Sequence, residues 1–215
     1  MFGTREELTD LFNFNTSNNK FCCILQISNK CNIRCSCCYN EFLRNLSNAD
    51  EILRPEVLEK IIKTCVERDI PMYTGVGEPF AWWEYTRDIL IPMLNKYNSK
   101  YIISTNGLWG NDKQIIQEAL TSNIKNMFIS HDWWHNQSVP VEYINNILEA
   151  FKDSSTKVYI ASIWNKAHPK GEYTYKYHDQ IEFIWYDYGN QVNGNTILSH
   201  DREGNVKDYN LRGLV

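Results

Sequence analysis

The sequence has no apolar run approaching the roughly 20 residues a membrane-spanning helix needs, no block of basic residues, and no Pro- or Ser-rich stretch that would mark a linker. The first lack predicts no membrane association. The second leaves 22 Lys+Arg against 26 Asp+Glu and a formal net charge of −4, which argues against broad electrostatic binding to nucleic acid or an anionic surface. The third makes the 215 residues one ordinary domain with at most a small appendage, long enough to bury its own core without disulfides or metal. No internal repeat is evident. Glu6, Glu7 and Asp10 precede any apolar stretch, unlike an export signal, so a cytoplasmic location is expected.

Cysteine is scarce over most of the chain and crowded in one place. Of seven, six lie between positions 22 and 38 (Cys22, Cys23, Cys31, Cys35, Cys37 and Cys38), Cys65 stands apart, and none follows it. An odd count in one crowded segment is a poor disulfide framework and points to metal. Histidine is absent before His131, which disfavours a local Cys/His zinc knuckle; zinc prefers four N/S ligands in two well-spaced pairs. Cys22, Cys23 and Cys65 read as packing residues, since free cysteine behaves as a small buried hydrophobe.

Apolar strands and amphipathic helices alternate along the chain. Strands are predicted at 22–28, 69–75, 101–105, 126–130, 157–163 and, without an obvious preceding helix, 181–187. Helices are predicted at 55–68, 83–97 (kinked or broken at Pro92), 111–121 (capped by Asn111) and 140–152. A hairpin turning on Glu203-Gly204-Asn205 is expected at 195–209. This order predicts an α/β fold: a partial, open β/α barrel of five or six parallel strands with a small C-terminal hairpin extension. The expected division is an N-terminal extension at 1–20, the barrel at 21–190 and the tail at 191–215. In such folds chemistry gathers at the carboxyl ends of the strands.

The polar motifs fall there. Cys31-Asn-Ile-Arg-Cys35-Ser-Cys-Cys38, a CxxxCxxC spacing, follows the first strand. Gly75-Val76-Gly77-Glu78-Pro79 follows the second, Ser104-Thr105-Asn106-Gly107 ends the third, and Ser130-His131-Asp132 ends the fourth. Cubane clusters ordinarily take four cysteines; three would leave one iron open to a small ligand. With these motifs in this order, residues 22–165 resemble the radical S-adenosylmethionine (radical SAM) superfamily. Two positions depart from its pattern: Cys37 stands where an aromatic residue usually precedes the third cysteine, and Val76 replaces the first glycine of the GGEP motif.

The resemblance implies a 4Fe-4S cluster held by Cys31, Cys35 and Cys38, and S-adenosylmethionine (SAM) held with Gly75, Gly77, Glu78, Ser104, Asn106 and Ser130. It further implies a flavodoxin- or ferredoxin-like electron donor, reductive cleavage of SAM, and hydrogen abstraction by a 5′-deoxyadenosyl radical from a peptide or small-molecule substrate. A glycyl-radical enzyme activase, or a non-catalytic iron–sulfur or zinc binder, are the alternatives. Asp132 and His135, with His131 beside them, are the acid/base candidates near the same mouth. The pairs Trp82-Trp83 and Trp133-Trp134 lie where they wall a pocket or cap the barrel rim.

Overall fold

Strands apolar on both faces must be covered on both faces, and the chain covers them with unequal means. The computed structural model describes residues 2–11, 22–36, 38, 51–75, 77–164, 175–177, 180, 183–187, 197–200 and 206–209. The N-terminal segment forms helix α1 (Arg5–Leu11), where only an extension was expected. Its start is a capping box: Glu7 N–H donates to the Thr4 hydroxyl at 3.2 Å, and Thr4 N–H donates to the Glu7 carboxylate at 2.8 Å.

Strand β1 (Cys23–Ile24) is shorter than the sequence suggested, and α2 (Pro55–Glu67) follows with Pro55 in its first turn and Leu58, Ile62 and Cys65 buried. After β2 (Met72–Thr74) the expected single helix is built in pieces. A 3-10 turn (Pro79–Trp82) leads into α3 (Trp83–Tyr85), a π turn (Thr86–Leu90) and α4 (Ile91–Lys96). Pro92 supplies no N–H and its ring crowds the carbonyl four residues back. The chain widens by one residue just before it, Ile91 N–H reaching back to the Thr86 carbonyl.

Strand β3 (Tyr101–Thr105) runs into a 3-10 turn (Leu108–Asn111) and α5 (Lys113–Thr121). The cap of α5 is Asp112, whose carboxylate accepts from Gln114 and Ile115 N–H, and Asn111 belongs to the preceding turn. Then come β4 (Asn126–Ser130), the short α6 (Trp133–Asn136), α7 (Val141–Phe151), β5 (Lys157–Trp164) and β6 (Phe183–Asp187). β7 (Ile197–His200) and β8 (Val206–Tyr209) form the expected antiparallel pair; the turn proposed to join them lies outside the described residues.

Six strands form one sheet in the order β1-β2-β3-β4-β5-β6, and every neighbouring pair is parallel. Among the described residues the sheet does not close, as an open barrel requires. Side chains alternate between two cores. Met72, Tyr101, Ile103, Met127, Ile129, Val158 and Ile160 pack against α2, α5 and α7. Ile102, Phe128, Tyr159 and Ala161 face the concave side, where Leu8 and Leu11 of α1 cover them. Because the strands neighbour one another in sequence order, the loops after β1, β2, β3 and β4 stand side by side at one end of the sheet.

Candidate active site at the cysteine loop

The loop after β1 is clamped before it reaches its first cysteine. Leu25 N–H donates to the Tyr73 carbonyl at 2.8 Å, Leu53 N–H donates to the Ile27 carbonyl at 2.7 Å, and Ser28 bridges Ile52. Ile33 is buried between the first two cysteines and anchors the loop to the core. Cys38 N–H donates to the Cys35 carbonyl at 3.1 Å, a tight turn that carries the second and third thiols. Cys31, Cys35 and Cys38 are all free and half-buried. Cys37 and Val76 lie outside the described residues.

The turn after β2 docks directly onto that loop. Gly77 has φ +76°, and a Cβ there would lie 2.4 Å from the Ser28 carbonyl oxygen and 2.9 Å from that of Lys30. Only glycine tolerates both the angle and the approach. The next residue completes the junction, Glu78 N–H donating to the Lys30 carbonyl at 2.8 Å. Gly75 is equally confined: a Cβ would meet the Tyr73 ring at 2.3 Å and Ser104 Cβ at 2.9 Å.

Glu78 is 3% exposed, and its carboxylate binds the end of β3. Oε1 accepts from Phe80 N–H at 3.0 Å and from the Thr105 hydroxyl at 2.8 Å; Oε2 accepts from Asn106 N–H at 2.7 Å. Burial pushes its pKa up to about 7, against the pull of the Asn106, Thr105 and Phe80 donors and the charge of His135. Thr105 stands in the Ser104–Gly107 motif without a role assigned from the sequence, yet its hydroxyl also accepts Gly107 N–H at 3.1 Å and the Trp109 indole N–H at 2.9 Å. No pattern in the sequence marks it apart from its place beside Asn106.

Asn106 reaches the first cysteine. Its amide nitrogen lies 3.8 Å from Cys31 Sγ and donates to Asn32 Oδ1 at 2.8 Å, while its Oδ1 accepts Leu108 N–H at 2.9 Å. Burial raises the Cys31 thiol above its usual range, only partly offset by the Ile33 N–H; the charges of Glu78, Cys35 and Cys38 push the same way. A metal that displaces the proton would remove that cost.

Asp132 caps α6. Its Oδ1 accepts Trp134 N–H and His135 N–H, each at 3.0 Å, and meets His135 Nδ1 at 2.8 Å. For His135 burial opposes protonation, but Asp132 and the Cys35 thiol outweigh it and raise the imidazole to about 10. His131 is fully buried and satisfied, with Nδ1 2.6 Å from the Tyr175 hydroxyl and Nε2 2.9 Å from the Val139 carbonyl. Burial lowers it to about 4, so it is neutral at pH 7. Ser104 and Ser130 lie two residues beyond Ile102 and Phe128 on their strands and therefore share their face of the sheet.

The tryptophan pairs split. Trp83 stacks on Phe80 at 4.9 Å, and Phe80 on Trp109 at 4.2 Å, all nearly parallel and buried. Trp134 is also buried, whereas Trp133 is 40% exposed. Trp82 lies under the Lys30 ammonium, 4.4 Å from its ring centre.

The donor set suits a polynuclear cluster. Three half-buried thiols stand on one short loop at CxxxCxxC spacing. A cube asks each thiolate to meet a different iron, so its ligands need not crowd as those of a lone ion do. Among the described residues no helix is long and apolar enough to cross a membrane.

Comparison with known proteins bears directly on this loop. A family described as the 4Fe-4S single cluster domain matches residues 21–140, from the start of β1 through α6. YydG of Bacillus subtilis (strain 168), a protein named for peptide biosynthesis, is 25% identical over 130 residues. That match covers 58% of this chain and 40% of the relative, so the chain spans less than half of the relative's length. The crystal structure of BtrN in complex with AdoMet and 2-DOIA aligns with a TM-score of 0.45 and 16% identity, over 68% of this chain and 58% of that one. The chain belongs to the 4Fe-4S single-cluster domain family and, with it, to the radical SAM superfamily.

Proposed function

We propose that the protein is a radical SAM enzyme acting on a peptide or small metabolite, with Cys31, Cys35 and Cys38 as the three protein ligands of its cluster. The observation that carries this reading is the junction between the first two loops. Gly77 lies against the carbonyls of Ser28 and Lys30, and Glu78 N–H bonds the latter. A ligand gripped by the glycine turn would therefore sit beside the cysteine loop. When bound, cluster and SAM together supply a one-electron cleavage of the sulfonium C–S bond, giving methionine and a 5′-deoxyadenosyl radical that takes a hydrogen atom from substrate.

The chain's own residues orient and exclude. Gly75 and Gly77, where no Cβ fits, let the backbone of the turn meet the amino acid part of SAM. Glu78 adds negative charge beneath it while holding β2 to β3. Ser104 and Ser130 offer hydroxyls from the concave face to the nucleoside. His135, steadied at Nδ1 by Asp132, is the acid/base group at the mouth. The one-electron donor is a flavodoxin- or ferredoxin-like protein. A peptide substrate is favoured by the likeness to a relative named for peptide biosynthesis.

The test is anaerobic incubation of reconstituted protein with dithionite and SAM. Formation of 5′-deoxyadenosine and methionine in equal amounts is expected. A cluster-loaded protein that leaves SAM intact would contradict the reading.

A further inference from the structure

Asn106 is 5% exposed and cannot turn. Its backbone N–H is held by Glu78 Oε2 at 2.7 Å, and its Oδ1 accepts Leu108 N–H at 2.9 Å. A backbone N–H can only face an amide oxygen, so this contact fixes which end of the amide is which. The NH2 group is thereby aimed into the cysteine loop, where it meets two acceptors, Asn32 Oδ1 at 2.8 Å and Cys31 Sγ at 3.8 Å. An amide has two hydrogens, and each has a partner.

From this geometry we infer that Asn106 is a positioning residue for the cluster, its amide N–H donating to the Cys31 sulfur and easing uptake of the electron that starts the reaction. The inference rests on Cys31 being a cluster ligand. A donor beside a ligating sulfur favours the more negative, reduced state, because the sulfur carries more charge there; hydrogen bonds to the sulfurs are among the factors that set cluster potentials. The sequence offers Asn106 only as one contact among several to SAM, and its side chain faces the thiol instead.

The test is a redox titration of the full chain, reconstituted anaerobically without SAM and followed by electron paramagnetic resonance. Asn106→Asp keeps the oxygen facing Leu108 but replaces the donor by an acceptor; Asn106→Ala removes both. At the potential that half-reduces the wild-type cluster, the reduced-to-oxidised ratio is expected to fall roughly three- to tenfold in Asn106→Ala, the worth of one ordinary hydrogen bond, and at least as far in Asn106→Asp, which adds a negative charge. Asn32→Ala, an exposed site, removes the competing acceptor, and its cluster is expected to reduce as easily as wild type or more easily. Unchanged midpoints at position 106 would overturn the proposal, even if iron content fell, since a merely structural role lowers loading without moving the potential. Should the position 106 variants hold no cluster, Asn32→Ala decides alone: harder reduction overturns the proposal. Wild type that binds no iron fails at the earlier step and refutes the cluster itself.

Discussion

The carboxylate of Glu78 accepts the Thr105 hydroxyl at 2.8 Å, joining residues from neighbouring strand ends. With Phe80 N–H on the same oxygen and Asn106 N–H on the other, it is the bolt between the glycine turn and β3. Glu78→Gln keeps the shape but must point an NH2 at one set of donors. It should destabilise the cluster-free chain by about 1–3 kcal/mol, the cost of leaving a buried polar group unsatisfied. Urea unfolding at constant pH checks this.

The same bolt gives a pH dependence whose sign is fixed. Glu78 titrates near 7 when folded and near 4.5 in its ordinary environment. The folded state therefore holds the proton to higher pH, and stability present below the lower value is lost as pH rises through the upper one. The wild-type Tm should fall between about pH 5 and pH 7 relative to Glu78→Gln, by the equivalent of up to about 3 kcal/mol. Scanning calorimetry of both chains across this window measures the difference; parallel curves would remove the effect.

Gly77→Ala should uncouple the two loops. The added Cβ meets the Ser28 carbonyl oxygen at 2.4 Å, with backbone on both sides and φ at +76°. Strain of order 1–3 kcal/mol is expected, and the cysteine loop is the part free to shift. Iron retained after desalting should drop by half or more, while far-ultraviolet circular dichroism stays close to wild type.

Leu8 closes the concave side against Tyr159, Phe128 and Ile102. Leu8→Ala should cost about 2–3 kcal/mol, toward the lower end for a buried leucine. Because this contact lies away from the cysteine loop, reconstituted iron content should be unchanged. Thermal melting and an iron assay on one preparation separate the two.

Elements with strong local patterns were legible in the sequence. The stripe Leu58, Ile62, Cys65 defined α2, and Ile144, Ile147, Leu148 and Phe151 defined α7, because one buried face at helical spacing is a signal that tertiary contacts reinforce. The strand-end positions of Gly77, Glu78, Asn106 and Asp132 followed from strand order alone. What escaped depends on contacts distant in sequence. The shortness of β1 reflects the chain's turn toward the cysteine loop, and the π turn is the helix's response to Pro92. Asn111 opens the apolar stripe as a cap would, but Leu108–Asn111 coils first and leaves capping to Asp112. Helix α1 carries a capping box in Thr4 and Glu7 that the reading of residues 1–20 as an extension did not use. That Glu78 faces Thr105, and Asn106 faces Cys31, is written in no local pattern.

The most direct measurement is the iron and sulfide content of anaerobically reconstituted wild type, Cys35→Ala and Cys22→Ala. About four of each per chain are predicted for wild type and for Cys22→Ala, with Cys35→Ala nearly empty. A colourless, iron-free wild type, or a Cys35→Ala chain that holds a full cluster, would contradict the account.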